Sequence, residues 1–385
     1  MQKFDIHLCL VSEQAAPNYL PITDPKFKPK EAVFLVGKGM EENAEFLEKA
    51  FVMQQVKVKK YFCEDSWGLR ELNDVLFKIL EDYEDKNIAL NLTGGTKLMA
   101  LVAQSLFKDD TPTFYFNNNQ LLFLKGEESA IAMDLNCNVN INGYLTAYGE
   151  TSIRSSSKQI ADSHLELSEY LGKRYNRFKN ALPVLNGLAS ETKPRSLTRN
   201  IDNKKLKINA LVELLEYFKA CNLIDFYQNT IEFKSEEDRF FLNGGWLETY
   251  AFNTVNKLKK EQLNIQDIQY NLEVGNSNYD KNKSDYKKDN LGNKNELDVT
   301  FIANNKLYII ECKTSLMKDN KEVSAILDKL EVLKKKGGRE TKAALVTFHT
   351  PPQAILNKAK NNKIKIISAG ELEQLSNKIK EWINE

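Results

Sequence analysis

Two acidic residues and a lysine, Asp298, Glu311 and Lys313, lie in two apolar stretches that are typical of β-strands. An Asn-Asn pair at 304–305 separates the stretches, and asparagine tolerates the positive φ that a two-residue hairpin loop requires. Such a loop predicts that Asp298 faces Glu311 and that Glu296 faces Lys313, with all four side chains on one face. Directly opposed Cβ atoms lie about 4.5–5.5 Å apart in a hairpin. Two carboxylates at that separation can share one divalent cation.

A metal ion held by this pair would polarise a phosphoryl oxygen and lower the pKa of bound water. Lys313 would stabilise the negative charge that develops on the phosphate. The alternative is a surface hairpin with a salt-bridged pair, because such charges are common on exposed strands. The apolar residues before Glu311 predict a central strand instead, and charged side chains on a buried strand indicate a function. We therefore predict that the pair binds a divalent metal ion.

The spacing Asp298-x12-Glu311-Cys312-Lys313 resembles the active site of the PD-(D/E)xK nuclease superfamily. The resemblance implies that Asp298 and Glu311 bind Mg²⁺ or Mn²⁺, and that Lys313 orients or deprotonates the attacking water. An upstream helix of this superfamily often carries a further acidic residue. Glu248 in the sequence GGWLE matches that role, as a third metal ligand, and the alternative is an ordinary exposed glutamate on a helix.

Glu296 is an additional acidic residue beside the usual pair of the superfamily. Two roles are open for it in the catalytic site. It can be a further metal ligand, or it can be the ion-pair partner that the hairpin register places opposite Lys313.

Residues 1–150 precede this hairpin in the chain. In this part short apolar strands alternate with amphipathic helices. This order predicts a parallel sheet with helices on both faces, and ligands of such sheets bind beyond the carboxyl ends of the strands. Two loops, SEQAAPN at 12–18 and NLTGGTK at 91–97, lie at those ends. Glycines allow a close approach of the backbone, and a helix N-terminus attracts anions. The alternative for the second loop is a plain strand-to-helix connection with Thr96 as N-cap.

Together the two loops resemble those of the CARF sensor domain of CRISPR systems. CARF domains bind cyclic oligoadenylates at a dimer interface, so the resemblance implies a Rossmann-like fold, a homodimer and such a ligand. The implied ligand-binding residues are Ser12, Gln14, Asn18, Thr93, Gly94, Gly95, Thr96 and Lys97.

Residues 151–237 are predicted to form a helical, winged-helix-like linker, and residues 238–385 a nuclease domain. The predicted order helix–strand–strand–strand–helix–strand matches a restriction-endonuclease-like α/β core. Residues 275–294 have almost no apolar content, which predicts a mobile loop beside the metal site, with lysines able to contact phosphate. The basic residues of the linker are expected to form a solvated surface rather than to recognise bases.

The 385 residues carry a net charge of +1, but residues 1–150 have 15 basic and 22 acidic residues and the remainder has 39 and 31. This asymmetry is a weak indication that the C-terminal part contacts a polyanion. The five cysteines lack C-x-x-C spacing, which favours reduced thiols in a cytoplasmic protein over zinc or disulfides. The sequence contains no run of 18 apolar residues, so no membrane span is expected. The N-terminus lacks a signal-peptide pattern.

The resemblance covers all three segments and implies a CRISPR-associated accessory nuclease of type III systems, activated by cyclic tetra-adenylate. The implied activity is cleavage of single-stranded DNA or RNA, or nicking of duplex DNA, with Mn²⁺ or Mg²⁺. One alternative is a ligand-controlled transcription regulator with an inactive nuclease-like domain, but the intact set Asp298, Glu311 and Lys313 argues against it. Another is a DNA-repair or restriction nuclease whose N-terminal domain senses a different nucleotide.

Overall fold

The computed structural model describes residues 4–65, 67–117, 119–127, 129–156, 160–191, 196–261, 263–280, 282–284, 294–316 and 320–385. In this part of the chain the strands form three sheets, of seven, three and six strands. Among the described residues, no helix is both long and apolar enough to cross a membrane. All five cysteines are free, and four of them are buried, as predicted for structural thiols.

The N-terminal domain is built around the seven-stranded sheet, whose strand order is β3-β2-β1-β4-β5-β6-β7. Its elements are β1 (Ile6–Leu10), α1 (Ala16–Thr23), β2 (Glu31–Gly37), α2 (Glu41–Met53), β3 (Lys57–Cys63), α3 (Leu69–Asp82), β4 (Ile88–Asn91), α4 (Lys97–Leu106), β5 (Thr113–Asn117), β6 (Gln120–Lys125), β7 (Ala132–Asp134) and α5 (Ile141–Ala147). The first five strands pair in parallel, because β1, β2 and β4 are continuous apolar runs that are buried on both faces. The Rossmann-like architecture predicted for this domain is confirmed.

The central region contains a small sheet, β10-β11-β9, surrounded by helices. Its elements are β8 (Thr151–Arg154), α6 (Asp162–Gly172), α7 (Tyr175–Phe178), α8 (Leu182–Glu191), β9 (Thr198–Asn200), α9 (Asn209–Ala220), β10 (Ile224–Tyr227), β11 (Thr230–Phe233) and α10 (Glu236–Phe240). The helix-and-hairpin arrangement agrees with the predicted winged-helix-like linker. The exception is β8, which leaves this region and pairs with a strand of the C-terminal sheet.

The C-terminal domain contains the six-stranded sheet, in the order β16-β15-β14-β13-β12-β8. Its own elements are α11 (Trp246–Lys260), β12 (Ile265–Gly275), β13 (Lys294–Ala303), β14 (Lys306–Lys313), α12 (Asn320–Lys336), β15 (Lys342–Thr347), α13 (Gln353–Asn361), β16 (Ile364–Ser368) and α14 (Leu375–Asn384). The order from α11 to β15 confirms the predicted nuclease-type core. Of the predicted mobile loop, residues 281 and 285–293 lie outside the described residues.

The hairpin of β13 and β14 has the predicted register. Asn304 and Asn305 have φ values of 49° and 61°, so both loop residues adopt the left-handed conformation of a two-residue hairpin loop. The ladder runs from the Ala303–Lys306 pair to the Val299–Ile310 pair and ends there. Since β14 also pairs in parallel with β15, it is a central strand, as predicted.

Each face of the C-terminal sheet packs against a different part of the chain. One apolar cluster joins Leu307 of β14 and Leu327 of α12 to Phe34 and Tyr144 of the N-terminal domain. The cluster on the other face contains Cys312 together with residues of α11 and of the central region. The N-terminal domain therefore contacts the C-terminal domain directly, in addition to the chain connection through the central region.

The entry into α11 is a tight turn at residues 241–245, in which Gly244 has a φ of +110°. A Cβ atom at Gly244 would overlap the hydroxyl oxygen of Thr314, which directly follows Lys313. The missing side chain thus allows the N-terminus of α11 to approach the end of β14.

We predict that Gly244→Ala destabilises the protein by about 1–3 kcal/mol, since alanine adds both a clash and an unfavourable φ. Thermal and denaturant unfolding would measure the change. Gly187→Ala is the matched control, because Gly187 lies within α8 with open space around it and alanine favours a helix. Equal stability of the two variants would contradict this role of Gly244.

Candidate functional site

Asp298 and Glu311 lie just beyond the last pair of the β13–β14 ladder. Both are buried, with exposed fractions of 8% and 3%. One carboxylate oxygen of Asp298, Oδ2, accepts a hydrogen bond of 2.7 Å from the backbone N–H of Cys312. This bond fixes the Asp298 side chain against β14, next to Glu311.

Two lysines contact the Glu311 carboxylate. The Nζ atom of Lys313 lies 2.9 Å from Oε1, and the Nζ atom of Lys329 lies 3.1 Å from Oε2. Lys329 also donates a hydrogen bond of 3.2 Å to the backbone carbonyl of Glu296. Lys329 is not predicted from the sequence, because a helical pattern does not reveal which turn of α12 lies above the end of β14.

Two acidic groups of the site, Asp298 and Glu248, hold their protons more tightly than usual. Burial, together with the negative charge of Glu311, raises the pKa of Asp298 from 3.8 to about 7. Burial and the charge of Asp298 raise the pKa of Glu248 well above its ordinary value. Burial opposes the charge of Lys313, but Glu311 and Asp298 outweigh this effect and its pKa rises. The site therefore favours additional positive charge.

Glu248 lies in the first turn of α11 and is half-buried, so it is not an ordinary exposed helix residue. Its pKa responds to Asp298, Lys313, Glu296 and Glu311, which places it among the predicted catalytic residues.

Glu296 is exposed and pairs across the sheet with Glu273 of β12. Among the described residues the ion-pair partner of Lys313 is Glu311, so the ion pair considered between Glu296 and Lys313 is not formed. The reason is that the β13–β14 ladder ends at Val299 and does not extend to position 296.

The acidic residues offer only oxygen donors, which suit Mg²⁺ and Mn²⁺. Within the described residues, no three carboxylate, histidine or cysteine side chains already form a metal-binding set. Lys313 and Lys329 both contact Glu311 instead, so the charges of the two lysines take the place that a cation would have. The buried acidic groups fit a divalent cation by chemistry and by charge.

A second site is a cavity of about 700 Å³ at the carboxyl ends of β1, β2 and β4. The strand order reverses between β1 and β4, and ligands of α/β sheets bind at such a reversal. Five residues predicted to bind a ligand line the cavity, namely Ser12, Gln14, Thr93, Gly95 and Thr96. Thr96 also caps α4, since its hydroxyl accepts a hydrogen bond from the N–H of Met99.

Three residues predicted to bind the ligand do not line this cavity. Asn18 is buried and donates a hydrogen bond of 2.9 Å to the carbonyl of Leu10, so it holds α1 against β1. A Cβ atom at Gly94 would overlap the same carbonyl, so this glycine serves a close backbone contact. Lys97 is exposed in the first turn of α4 and lies outside the cavity of a single protomer.

Other residues line the cavity without having been predicted. Lys38 follows the carboxyl end of β2, next to β1, so the strand pattern could have identified it. Trp67 and Tyr115 are exposed aromatic residues on which a base can stack. Arg339 and Glu340 belong to the C-terminal domain, and only the packing of the two domains brings them to the cavity.

Two family models match separate parts of the chain. The model of the Card1 CARF domain matches residues 6–144, and the model of the Card1-like endonuclease domain matches residues 235–385. The chain joins a CARF domain to a Card1-like endonuclease domain. The cavity lies in the CARF domain, and the acidic cluster lies in the endonuclease domain.

Solved structures share this fold. Protein VC1899 from Vibrio cholerae superimposes with a TM-score of 0.87 at 23% identity, over 98% of each chain. Can2 from Sulfobacillus thermosulfidooxidans, solved in complex with cyclic tetra-adenylate, gives 0.75 at 24% identity over 99% of this chain and 100% of that chain. A type III CRISPR defence DNA nuclease activated by cyclic oligoadenylate gives 0.58 at 19% identity, over 91% of this chain and 47% of that chain. No curated protein sequence matches the chain.

The raised pKa of Asp298 predicts a pH-dependent cost to stability. Between about pH 4 and about pH 7 the unfolded chain has an ionised Asp298 while the folded protein keeps the proton, so stability falls as the pH rises. Asp298→Asn cannot ionise and should therefore be more stable than the wild type above pH 7 without metal. One pKa unit corresponds to about 1.4 kcal/mol, or about 3–6 °C in Tm for a domain of this size.

Melting temperatures of both proteins between pH 4 and pH 8, in the presence of a chelator, would test this prediction. Asp74→Asn on the exposed face of α3 is the control, and it should follow the wild type. Parallel melting curves for Asp298→Asn and the wild type would rule out the raised pKa.

Proposed function

We propose that the protein is a metal-dependent endonuclease that cleaves DNA or RNA and is activated by cyclic tetra-adenylate in type III CRISPR defence. The observation that carries the proposal is the buried Asp298–Glu311 pair with Lys313 at the end of a central strand. The match of this region to the Card1-like endonuclease domain supports the same chemistry.

Asp298, Glu311 and Glu248 would hold Mn²⁺ or Mg²⁺, and the bound ion would supply a nucleophilic water and a Lewis acid at the phosphate. Asp298 is fixed by the N–H of Cys312, so one ligand is positioned before the metal binds. Lys313 keeps its proton, because its pKa is raised. It is therefore suited to stabilise negative charge on the phosphate and to orient the attacking water, rather than to act as a base.

Cyclic tetra-adenylate would bind in the cavity of the CARF domain. Exposed aromatic residues offer stacking surfaces for adenine, while Lys38, Arg339 and the N-terminus of α4 offer positive charge for phosphates. A CARF domain matches this part of the chain, and Can2, which has the same fold, was solved with this ligand. A homodimer would place two such cavities beside one another, so that one cyclic ligand contacts both protomers.

The basic test combines the purified protein with Mn²⁺, with and without cyclic tetra-adenylate. Substrates are labelled single-stranded DNA, single-stranded RNA and supercoiled plasmid. We expect cleavage only when metal and ligand are both present. Cleavage that is independent of the ligand, or no cleavage of any substrate, would reject the proposal.

We predict that Glu311→Ala and Lys313→Ala each reduce cleavage by at least about a hundredfold, since each removes a group that acts on the reacting phosphate. Both variants should still bind the ligand, because neither residue lines the cavity. A fluorescence cleavage assay and calorimetric titration with cyclic tetra-adenylate would measure the two properties. Either variant cutting within a few-fold of the wild type would contradict the assignment of the catalytic residues.

Lys38→Ala should weaken binding of cyclic tetra-adenylate about ten- to a hundredfold, because one charge-assisted contact contributes about 1.5–3 kcal/mol. Full activity should return at saturating ligand, since the catalytic site is unchanged. Lys86→Ala is the matched control, because Lys86 is an exposed lysine at the opposite end of the sheet, just before β4.

The same titration on Lys97→Ala tests the dimer. Lys97 lies outside the cavity of one protomer, so a loss of affinity would indicate that a ligand shared by two protomers reaches it. Unchanged affinity in both Lys38→Ala and Lys97→Ala would argue that the ligand binds elsewhere.

A further inference from the structure

The segment that follows α12 forms part of the wall of the ligand cavity. Its exposed Arg339 lines the cavity, and its backbone N–H donates a hydrogen bond of 2.9 Å to Oε1 of Gln14, a cavity residue of the CARF domain. The Arg339 guanidinium has no hydrogen-bond or ion-pair partner among the described residues. It is therefore a free cation at a cavity that suits a ligand with several phosphate groups.

The same segment is packed closely on the CARF domain. Gly338 has a φ of +88°, and a Cβ atom there would overlap the hydroxyl group of Tyr148. Tyr148 in turn accepts a hydrogen bond of 3.2 Å from the N–H of Ala16, in the ligand loop after β1. Lys336 at the end of α12 forms an ion pair of 2.9 Å with the buried Glu150. A shift of the ligand loop would consequently displace the C-terminal end of α12.

Farther back along α12, Lys329 contacts Glu311, which is a proposed metal ligand. Lys329 lies seven residues before the end of α12, about 10 Å along the helix axis. Its ammonium group binds Glu311 Oε2 and the carbonyl of Glu296, while its side chain is 37% exposed. Val323, Leu327 and Leu330 are fully buried at helical spacing, so α12 is packed as one rigid unit.

We propose that Lys329 restrains Glu311 in the resting enzyme in place of a metal ion, and that α12 connects this restraint to the ligand cavity through Arg339. The inference rests on the proposed function and specifies how the catalytic site is regulated. A ligand that binds the side chains of Gln14 and Arg339 breaks the bond between Gln14 and the segment after α12. The helix and Lys329 then move together, and Glu311 becomes available to the cation.

This route differs from the one that the chain order suggests, which is through the central region. The direct route is shorter, since α12 contacts Glu311 through Lys329 and the segment that follows α12 reaches the cavity through Arg339. A ligand can shift such an equilibrium only through different affinities for the two arrangements. The free guanidinium of Arg339 provides that difference, because only an anionic ligand in the cavity gives it a partner.

Lys329→Met tests the restraint, because methionine keeps an unbranched apolar chain and removes the charge. Without cyclic tetra-adenylate, the variant should bind Mn²⁺ at least about tenfold more tightly than the wild type, as judged by calorimetry, since one charge-assisted contact is lost. Its cleavage without ligand should rise as well. Lys335→Met is the control on the same helix and should match the wild type. Within the described residues this exposed lysine forms an ion pair only with Glu331.

Arg339→Met tests the connection. In the wild type, saturating cyclic tetra-adenylate should increase Mn²⁺ affinity, whereas in Arg339→Met this increase should fall at least about fivefold at a ligand concentration that saturates the variant. The same loss of coupling is expected in Lys329→Met, for which the restraint is already absent.

The outcomes separate this inference from the proposed function. If the wild type binds neither Mn²⁺ nor cyclic tetra-adenylate, both are overturned. If the wild type shows both properties but Lys329→Met binds Mn²⁺ no more tightly, only the restraint is overturned. Loss of cleavage in Lys329→Met with unchanged Mn²⁺ affinity would likewise overturn it, because Lys329 would then act on the substrate.

Discussion

Buried negative charge is the constraint on which the arrangement of this protein depends. Asp298 and Glu311 lie in the interior, where carboxylates without partners are costly, and the raised pKa of Asp298 reflects this cost. The chain reduces it with the N–H of Cys312 and with lysines from two different elements. Cys312 and Lys313 belong to β14, and Lys329 belongs to α12. For these groups to reach the two carboxylates, β14 must be a central strand and α12 must cross the end of the hairpin.

The CARF and endonuclease domains share an apolar core. Residues of β2 and α5 pack in one cluster with residues of β14 and α12, and the second face of the same sheet is covered by the central region. Domains that contact each other only through a flexible connection move independently, whereas a shared core allows a few discrete arrangements. The sheet of the endonuclease domain thus lies between the CARF domain and the central region.

Sequence patterns were sufficient for local features and insufficient for contacts between distant segments. The Asn-Asn loop determined the register of the hairpin, and alternation of side chains placed Cys312 in the core and the two carboxylates on the opposite face. The strand–helix alternation predicted the parallel sheet, and the resemblance of its two loops to those of CARF domains implied five residues that line the cavity.

Lys329 and Arg339 were missed because their positions depend on how α12 packs against two domains at once. Asn18 and Gly94 were assigned to the ligand because polar and glycine residues in a loop have the same appearance whether they contact a ligand or the backbone.

The short strand β8 has a consequence for how such proteins can be recombined. Thr151, the first residue of β8, lies beyond the residues that match the CARF domain. It pairs with Gly275, and β8 covers the end of β12 at the outer edge of the endonuclease sheet. An endonuclease domain that begins at residue 235 would leave that edge of β12 unpaired, and open edges promote aggregation. A chimera that replaces the CARF domain therefore has to keep residues 151–154 together with the endonuclease domain. The point at which two such proteins can be joined lies before residue 151, and not at the end of the linker.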